Sequence, residues 1–86
     1  MDLKSRAHRL RKKIGQLVTF KYVKQDGTSG TRVVKLEDIV TSMKIHGDYL
    51  LAGTDIGRTQ NSSKKSEYRT FYLSRITKNS IRTVVS

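Results

Sequence analysis

The sequence predicts a small, mainly β fold: about five strongly bent antiparallel strands closing into a barrel, preceded by one N-terminal amphipathic basic α-helix. Three observations carry that expectation. Short runs rich in β-branched and aromatic residues recur along the chain. Turn-forming clusters built on Asp-Gly or Gly-Asp pairs separate them. A single apolar stripe of helical period stands at the start. The 86 residues leave room for one small domain and no second core. A domain of this size buries only about 60% of the surface of its unfolded chain, and with 35% hydrophobic residues its margin of stability is thin. A monomer and a homodimer both fit.

The helix is predicted over residues 1–15. Leu3, Ala7, Leu10, Ile14 and Leu17 fall on one helical stripe, Asp2 is placed to cap the start, and Gly15 to stop the end. The other faces carry Lys4, Arg6, His8, Arg9, Arg11, Lys12 and Lys13. Such a face is either a solvated surface or a phosphate-contacting one, and Arg9, Arg11, Lys12 and Lys13 are the helix candidates for nucleic-acid contact. The stripe has no Trp or Phe to seat in a membrane interface.

The barrel is predicted over 17–76. Leu17–Lys24 reads as a strand with Val18, Phe20 and Tyr22 on one face, and Gln25–Gly30 with its Asp-Gly pair reads as a hairpin turn. Thr31–Leu36 and Ile39–Ile45 read as two further strands separated at Glu37 and Asp38, His46–Asp48 as a tight turn, and Tyr49–Asp55 as the next strand. Residues 77–86 form a tail, or a short closing strand over Ile81–Val85.

The functional expectation rests on 48–76. If the two-residue period holds from Glu67 to Ile76, Arg69, Phe71, Leu73 and Arg75 share a face that is apolar in the middle and cationic at both ends. Guanidinium groups at the ends of a half-buried strand can sit at a rim while their stems cover apolar surface, which makes the rim an anion site. The loop Gly57–Ser66 adds Arg58, Lys64 and Lys65, either as a cationic flap over a bound backbone or as a plain connection. Among the aromatics, Phe20 and Phe71 are expected in the core, and Tyr72 or Tyr22 at the surface as a stacking platform.

Charge points to the partner. Eighteen Lys and Arg against seven Asp and Glu give a formal net charge of +11. That balance suits a polyanion, with nucleic acid first, an acidic protein surface second and an anionic membrane last. There is no cysteine, so disulfides and cysteine-ligated zinc are excluded. No apolar run reaches the roughly 18 residues that span a bilayer, and no secretory h-region follows the basic start. The expectation is a soluble cytoplasmic protein.

The succession Phe20–Tyr22, Asp26-Gly27, the run from Thr31 to Val40, the run from Gly47 to Asp55, and Tyr68–Ile76 resembles the WYL domain of bacterial and phage regulators over about Leu17–Ile76. Arg69, Thr70, Phe71, Leu73, Arg75 and Ile76 match the most specific block, and Tyr49 and Leu50 match two residues of the name-giving motif. The resemblance implies an Sm-like barrel that binds ligands, single-stranded nucleic acid among them, with Arg69 and Arg75 facing the anion and Tyr49 beside them. The chain departs from the pattern at Asp48, where a Trp is usual, and at Tyr72 and Ser74, where an Arg and an Asp are usual. Regulators of this family usually carry a helix-turn-helix domain ahead of the barrel. One basic helix in that place resembles a stand-alone barrel of the kind met in phage or mobile-element products.

Enzyme chemistry is not expected. His8 and His46 are far apart, adjacent Glu37 and Asp38 point to opposite faces on a strand, and Gly53, Gly57 and Arg58 lack the Gly-Lys-Ser/Thr end of a P-loop. No cofactor is implied. Two readings remain: a nucleic-acid-binding regulatory barrel for DNA or RNA, tied to transcription, or a basic module that docks on an acidic partner protein and modulates its activity.

Overall fold

The computed structural model describes residues 2–56 and 67–84. The helix α1 spans Leu3–Arg11, and the strands are β1 (Leu17–Val23), β2 (Ser29–Thr41), β3 (Tyr49–Asp55), β4 (Glu67–Tyr72) and β5 (Arg82–Thr83). A 3₁₀ turn, η1, covers Leu73–Arg75 between β4 and β5. Arg58, Lys64 and Lys65 lie outside the described residues.

The expected cap forms: the Asp2 carboxylate accepts the Ser5 N–H at 2.8 Å and holds one of the N–H groups that a helix start leaves without a partner. Apart from Ser5 and His8, the helix consists of the good helix formers Ala, Leu, Lys and Arg, with no glycine or proline. Regular helix ends at Arg11, earlier than the predicted stop, and a turn carries the chain to Gly15, whose φ of +92° suits glycine alone at little cost. Ile14, expected on the apolar stripe, is therefore turned out to solvent. Ala7 and Leu10 are buried, and Leu3 packs at the margin of the same core. A nine-residue helix is marginal alone, so this packing holds it in place. Gly15 N–H donates to the Leu36 carbonyl at 2.7 Å, and Leu36 N–H to the Gln16 carbonyl at 3.0 Å, which ties the helix-to-strand link to the middle of β2.

All strand pairs are antiparallel, in the order β4-β3-β2-β1-β5. Residues 31–36 and 39–41 belong to one 13-residue strand, where the sequence suggested two. The cause is a β-bulge: Leu36 opposes Gly53 and Asp38 opposes Ala52, leaving Glu37 as the extra residue. Val34, Leu36 and Ile39 are buried, so the extra residue resets the alternation that would otherwise have put Asp38 in the core. Glu37 and Asp38 are used locally, Glu37 accepting the Thr54 hydroxyl at 2.8 Å and Asp38 the Ile39 N–H at 2.8 Å. Where the strands bend, β3 crosses β2 so closely that a Cβ on Gly53 would lie 2.7 Å from Val34 Cγ1 and overlap the Lys35 carbonyl.

The sheet is open, with β4 and β5 as its edges, and it is strongly bent. The Phe71 ring of β4 meets Phe20 and Tyr22 of β1 at 5.3 and 5.0 Å, edge to face, although two strands lie between them in the sheet. On a flat sheet these strands would stand roughly 14 Å apart. The core is the concave side: Val18, Phe20, Val34, Leu36, Ile39, Leu51 and Phe71 from the strands, Leu73 and Ile76 after β4, and Ala7 and Leu10 from the helix. From η1 the chain crosses to the far edge, where Ile76 bridges to Tyr22 and β5 pairs with Val18 and Thr19. No helix among the described residues is long and apolar enough to cross a membrane.

Candidate functional site

The expected rim of two arginines on one strand face does not form. Strand β4 ends at Tyr72, and η1 rotates the chain from Leu73 onward, so the two-residue period stops before Arg75. Arg69 stays on the core-facing side with Phe71, opposite Gly53 and half-buried. Arg75 instead lies over the Tyr72 ring, 5.6 Å from its centroid. Tyr49 lines a cavity with residues of α1. Phe20 and Phe71 are buried as expected, Tyr22 and Tyr72 are half-buried, and the aromatic most open to solvent is Tyr68, at 63%.

What the fold does bring together is the basic helix and the segment after η1. Two hydrogen bonds join them: Arg6 donates to the Ile76 carbonyl at 3.1 Å, and Lys13 Nζ to the Thr83 hydroxyl at 2.7 Å. Between them lies a groove of about 440 Å³, whose cations are Arg6, Arg9, Lys13, Lys78 and Arg82 and whose apolar floor includes Leu10 and Ile81. The far wall is a tight turn. Asn79 has φ +63°, Ser80 N–H donates to the Thr77 carbonyl at 3.1 Å, and the Arg82 guanidinium donates to the Asn79 and Ile81 carbonyls at 3.0 and 3.2 Å. Each arginine has five N–H donors, so Arg6 and Arg82 keep donors beyond these bonds.

Three more cavities extend this groove into a band, each sharing a cation with its neighbour. Arg6 and Lys78 also line one of about 500 Å³ beside Ser74, Arg75 and Thr77. Arg75 leads on to one of about 550 Å³ with Lys24, Lys44, Tyr22 and Tyr72. On the other flank of the helix, Arg9 is shared with a cavity of about 500 Å³ lined by Lys4, His8, Arg11 and Tyr49. Ten different Lys and Arg line these four cavities and no Asp or Glu does. Clefts lined by one sign of charge focus the field on an incoming anion.

Of the residues expected from the sequence, Arg9, Arg11, Lys13, Tyr49, Tyr72 and Arg75 line this band. Lys12 is exposed at the helix C-terminus, apart from these linings, and Arg69 is on the concave side. Lys4, Arg6, Lys24, Lys44, Lys78 and Arg82 are the cations of the band that sequence reasoning missed. For Lys78 and Arg82 the signal was the basic, turn-forming run Thr77–Arg82, which reads as a tail until the pairing of β5 with β1 is known. Among the described residues, no three His, Asp or Glu side chains gather as a metal site would require.

No protein-family model, curated protein or solved structure matches this chain. The functional reading therefore rests on the residues and their placement.

Proposed function

We propose that this protein is a nucleic-acid-binding regulatory module that grips a phosphate backbone along the band from Tyr49 and the basic helix to Tyr72. The single observation that carries the reading is the run of ten cations without an acidic residue over four adjoining cavities. Neutralising phosphates with Lys and Arg releases condensed counterions, and this supplies affinity independent of sequence. We place this module in the cytoplasm, in a transcription-related role. We assign the fold as a divergent Sm-like barrel of WYL type. The bend that seats Phe71 against Phe20 and Tyr22, and the return of Ile76 to β1, support this assignment.

A second reading, a module docking on an acidic protein, is favoured by Val40, Met43 and Ile45, which are exposed on and near the β2–β3 hairpin. Fluorescence anisotropy with labelled DNA and RNA at two salt concentrations separates the readings. The nucleic-acid reading expects binding at moderate salt that Arg9→Ala combined with Lys78→Ala weakens at least about tenfold. Binding only at low salt, insensitive to that pair, would transfer the band to a protein partner.

A further inference from the structure

Strand β4 is an unguarded edge. Among the described residues it pairs on one side only, with β3, and that pairing runs without a bulge from Glu67 to Tyr72. It holds neither lysine nor proline, the residues that commonly blunt an exposed edge. The other edge differs: β5 is two residues long and carries the exposed Arg82. The convex face beside β4 also stands apart from the cationic surface. Cross-strand pairing sets Tyr72 beside Leu50, Thr70 beside Ala52 and Tyr68 beside Thr54, and none of these six side chains is charged. Tyr68 is 63% exposed and Thr70 is exposed as well. The exposed Val40 of β2 extends the row of Tyr72 and Leu50. A chain of net charge +11 thus has an uncharged face at its open edge.

We propose that β4 is a self-association edge: a second copy of this chain adds its own β4 antiparallel to the first, with Thr70 on the two-fold axis. An acidic partner is drawn to the cations of the band, whereas two copies of so cationic a chain repel wherever those cations meet. The uncharged convex face brings none together. The strand is also complementary to itself. Residues directly opposite on antiparallel strands share a face, so a two-fold pair must place one residue opposite itself. Two centres keep most of β4 paired. Centring on Arg69 sets two guanidinium groups against each other, which is unfavourable. Centring on Thr70 sets Thr70 against Thr70, and Tyr68 against Tyr72 of the second copy on each side of the axis, pairs of the kind that stabilise a sheet. Arg75 already lies over the Tyr72 ring, 5.6 Å from its centroid, so each aromatic pair orders only Tyr68 anew. Head-to-tail growth through both edges would need a β5 that matches β4 in length, and β5 is far shorter, so assembly stops at two. Tyr72 also lines the cavity beyond Arg75, and the dimer therefore sets one end of each cationic band near its axis. The inference is independent of the nucleic-acid reading.

The test is sedimentation velocity on the full chain without nucleic acid, across roughly a hundredfold range of concentration. Wild type is compared with Thr70→Lys, Thr70→Glu, their equimolar mixture, and Tyr68→Ala. Wild type should pass from one chain to two as concentration rises. Added salt should strengthen the dimer, because it screens the repulsion between two cationic copies, whereas it weakens nucleic-acid binding. Thr70→Lys and Thr70→Glu each place two like charges at the axis, and each should weaken the dimer at least about tenfold. Mixing the two variants places opposite charges there and should restore it. Tyr68→Ala, at an exposed position, should also weaken the dimer at least about tenfold. A wild type that stays monomeric throughout, or that grows beyond two chains, overturns the proposal. So does a Thr70→Lys protein that dimerises as wild type does, or a mixture that fails to regain the dimer. None of these results bears on whether the band binds nucleic acid.

Discussion

The buried carboxylate of Asp48 accepts the Ser74 hydroxyl at 2.5 Å and the Ser74 N–H at 3.2 Å, joining the start of β3 to η1. It also accepts the N–H of Tyr49 at 2.7 Å. Two of the positions at which the chain departs from the WYL pattern are therefore bonded to each other. The bond decides where Arg75 goes, because it holds the residue immediately before it. Asp48→Ala should cost about 2–3 kcal/mol, since it leaves two backbone N–H groups and a hydroxyl without their acceptor, and Ser74→Ala about 1 kcal/mol. In equilibrium urea unfolding the double variant should fall short of the summed effects by at least about 0.5 kcal/mol. Strict additivity would mean that the bond carries no energy.

Gly53→Ala should destabilise by at least about 2 kcal/mol, because the added Cβ meets the Val34 side chain and the Lys35 backbone, and backbone cannot rotate aside. Gly30, where a Cβ would meet nothing within 4 Å, is the control, and Gly30→Ala should stay within about 0.5 kcal/mol. Thermal melts of the two variants distinguish close approach from a general intolerance of glycine replacement.

Leu10 is the deepest leucine on the helix, at 4% exposure. Leu10→Ala should cost about 2–4 kcal/mol through its cavity, and should lower helical circular dichroism disproportionately, because so short a helix depends on that contact. Lys12→Ala, on the solvent side of the same helix, should leave both stability and spectrum near wild type.

Salt dependence maps the interface. For duplex DNA each phosphate contact contributes about 0.9 to the slope of log K against log salt. Lys78→Ala should therefore lower the slope by about one. Lys35→Ala removes an exposed charge from β2 that lines none of the four cavities, and should leave the slope nearly unchanged. Equal effects from the two lysines would show a diffuse charge in place of a track.

Acid should loosen the β1–β2 hairpin. The Thr28 hydroxyl and then the Thr28 N–H, both donating to the Asp26 carboxylate, hold its pKa below the ordinary value. A group depressed in the folded state contributes stability that is complete above the unfolded value, near pH 4, and is lost as pH falls through the folded value. Asp26→Asn, which keeps an acceptor but does not titrate there, should lose less stability between pH 5 and pH 2.5 than wild type does. Parallel urea midpoints for the two proteins across that range would refute the linkage.

Local chemistry was legible where it acts alone. Asp2 caps the helix, Gly27 and Gly47 take positive φ in the turns, and β3 runs over the expected Tyr49–Asp55. Each depends on residues within a few positions of one another, so the sequence by itself determined a basic helix, a β-rich remainder and an excess of cations in search of an anion. Three matters were settled only by tertiary structure. The bulge at Glu37 depends on β3, because an extra residue in a strand is defined only against its partner. The direction of Arg75 depends on η1, which Asp48 anchors from 26 residues away. The cationic band depends on residues 76–84 lying against β1 and α1, which sets Lys78 and Arg82 beside Arg6, Arg9 and Lys13. Charge is a property of composition, but a continuous track of charge needs long-range contacts, and those are made when the bent sheet brings its far edge to the helix.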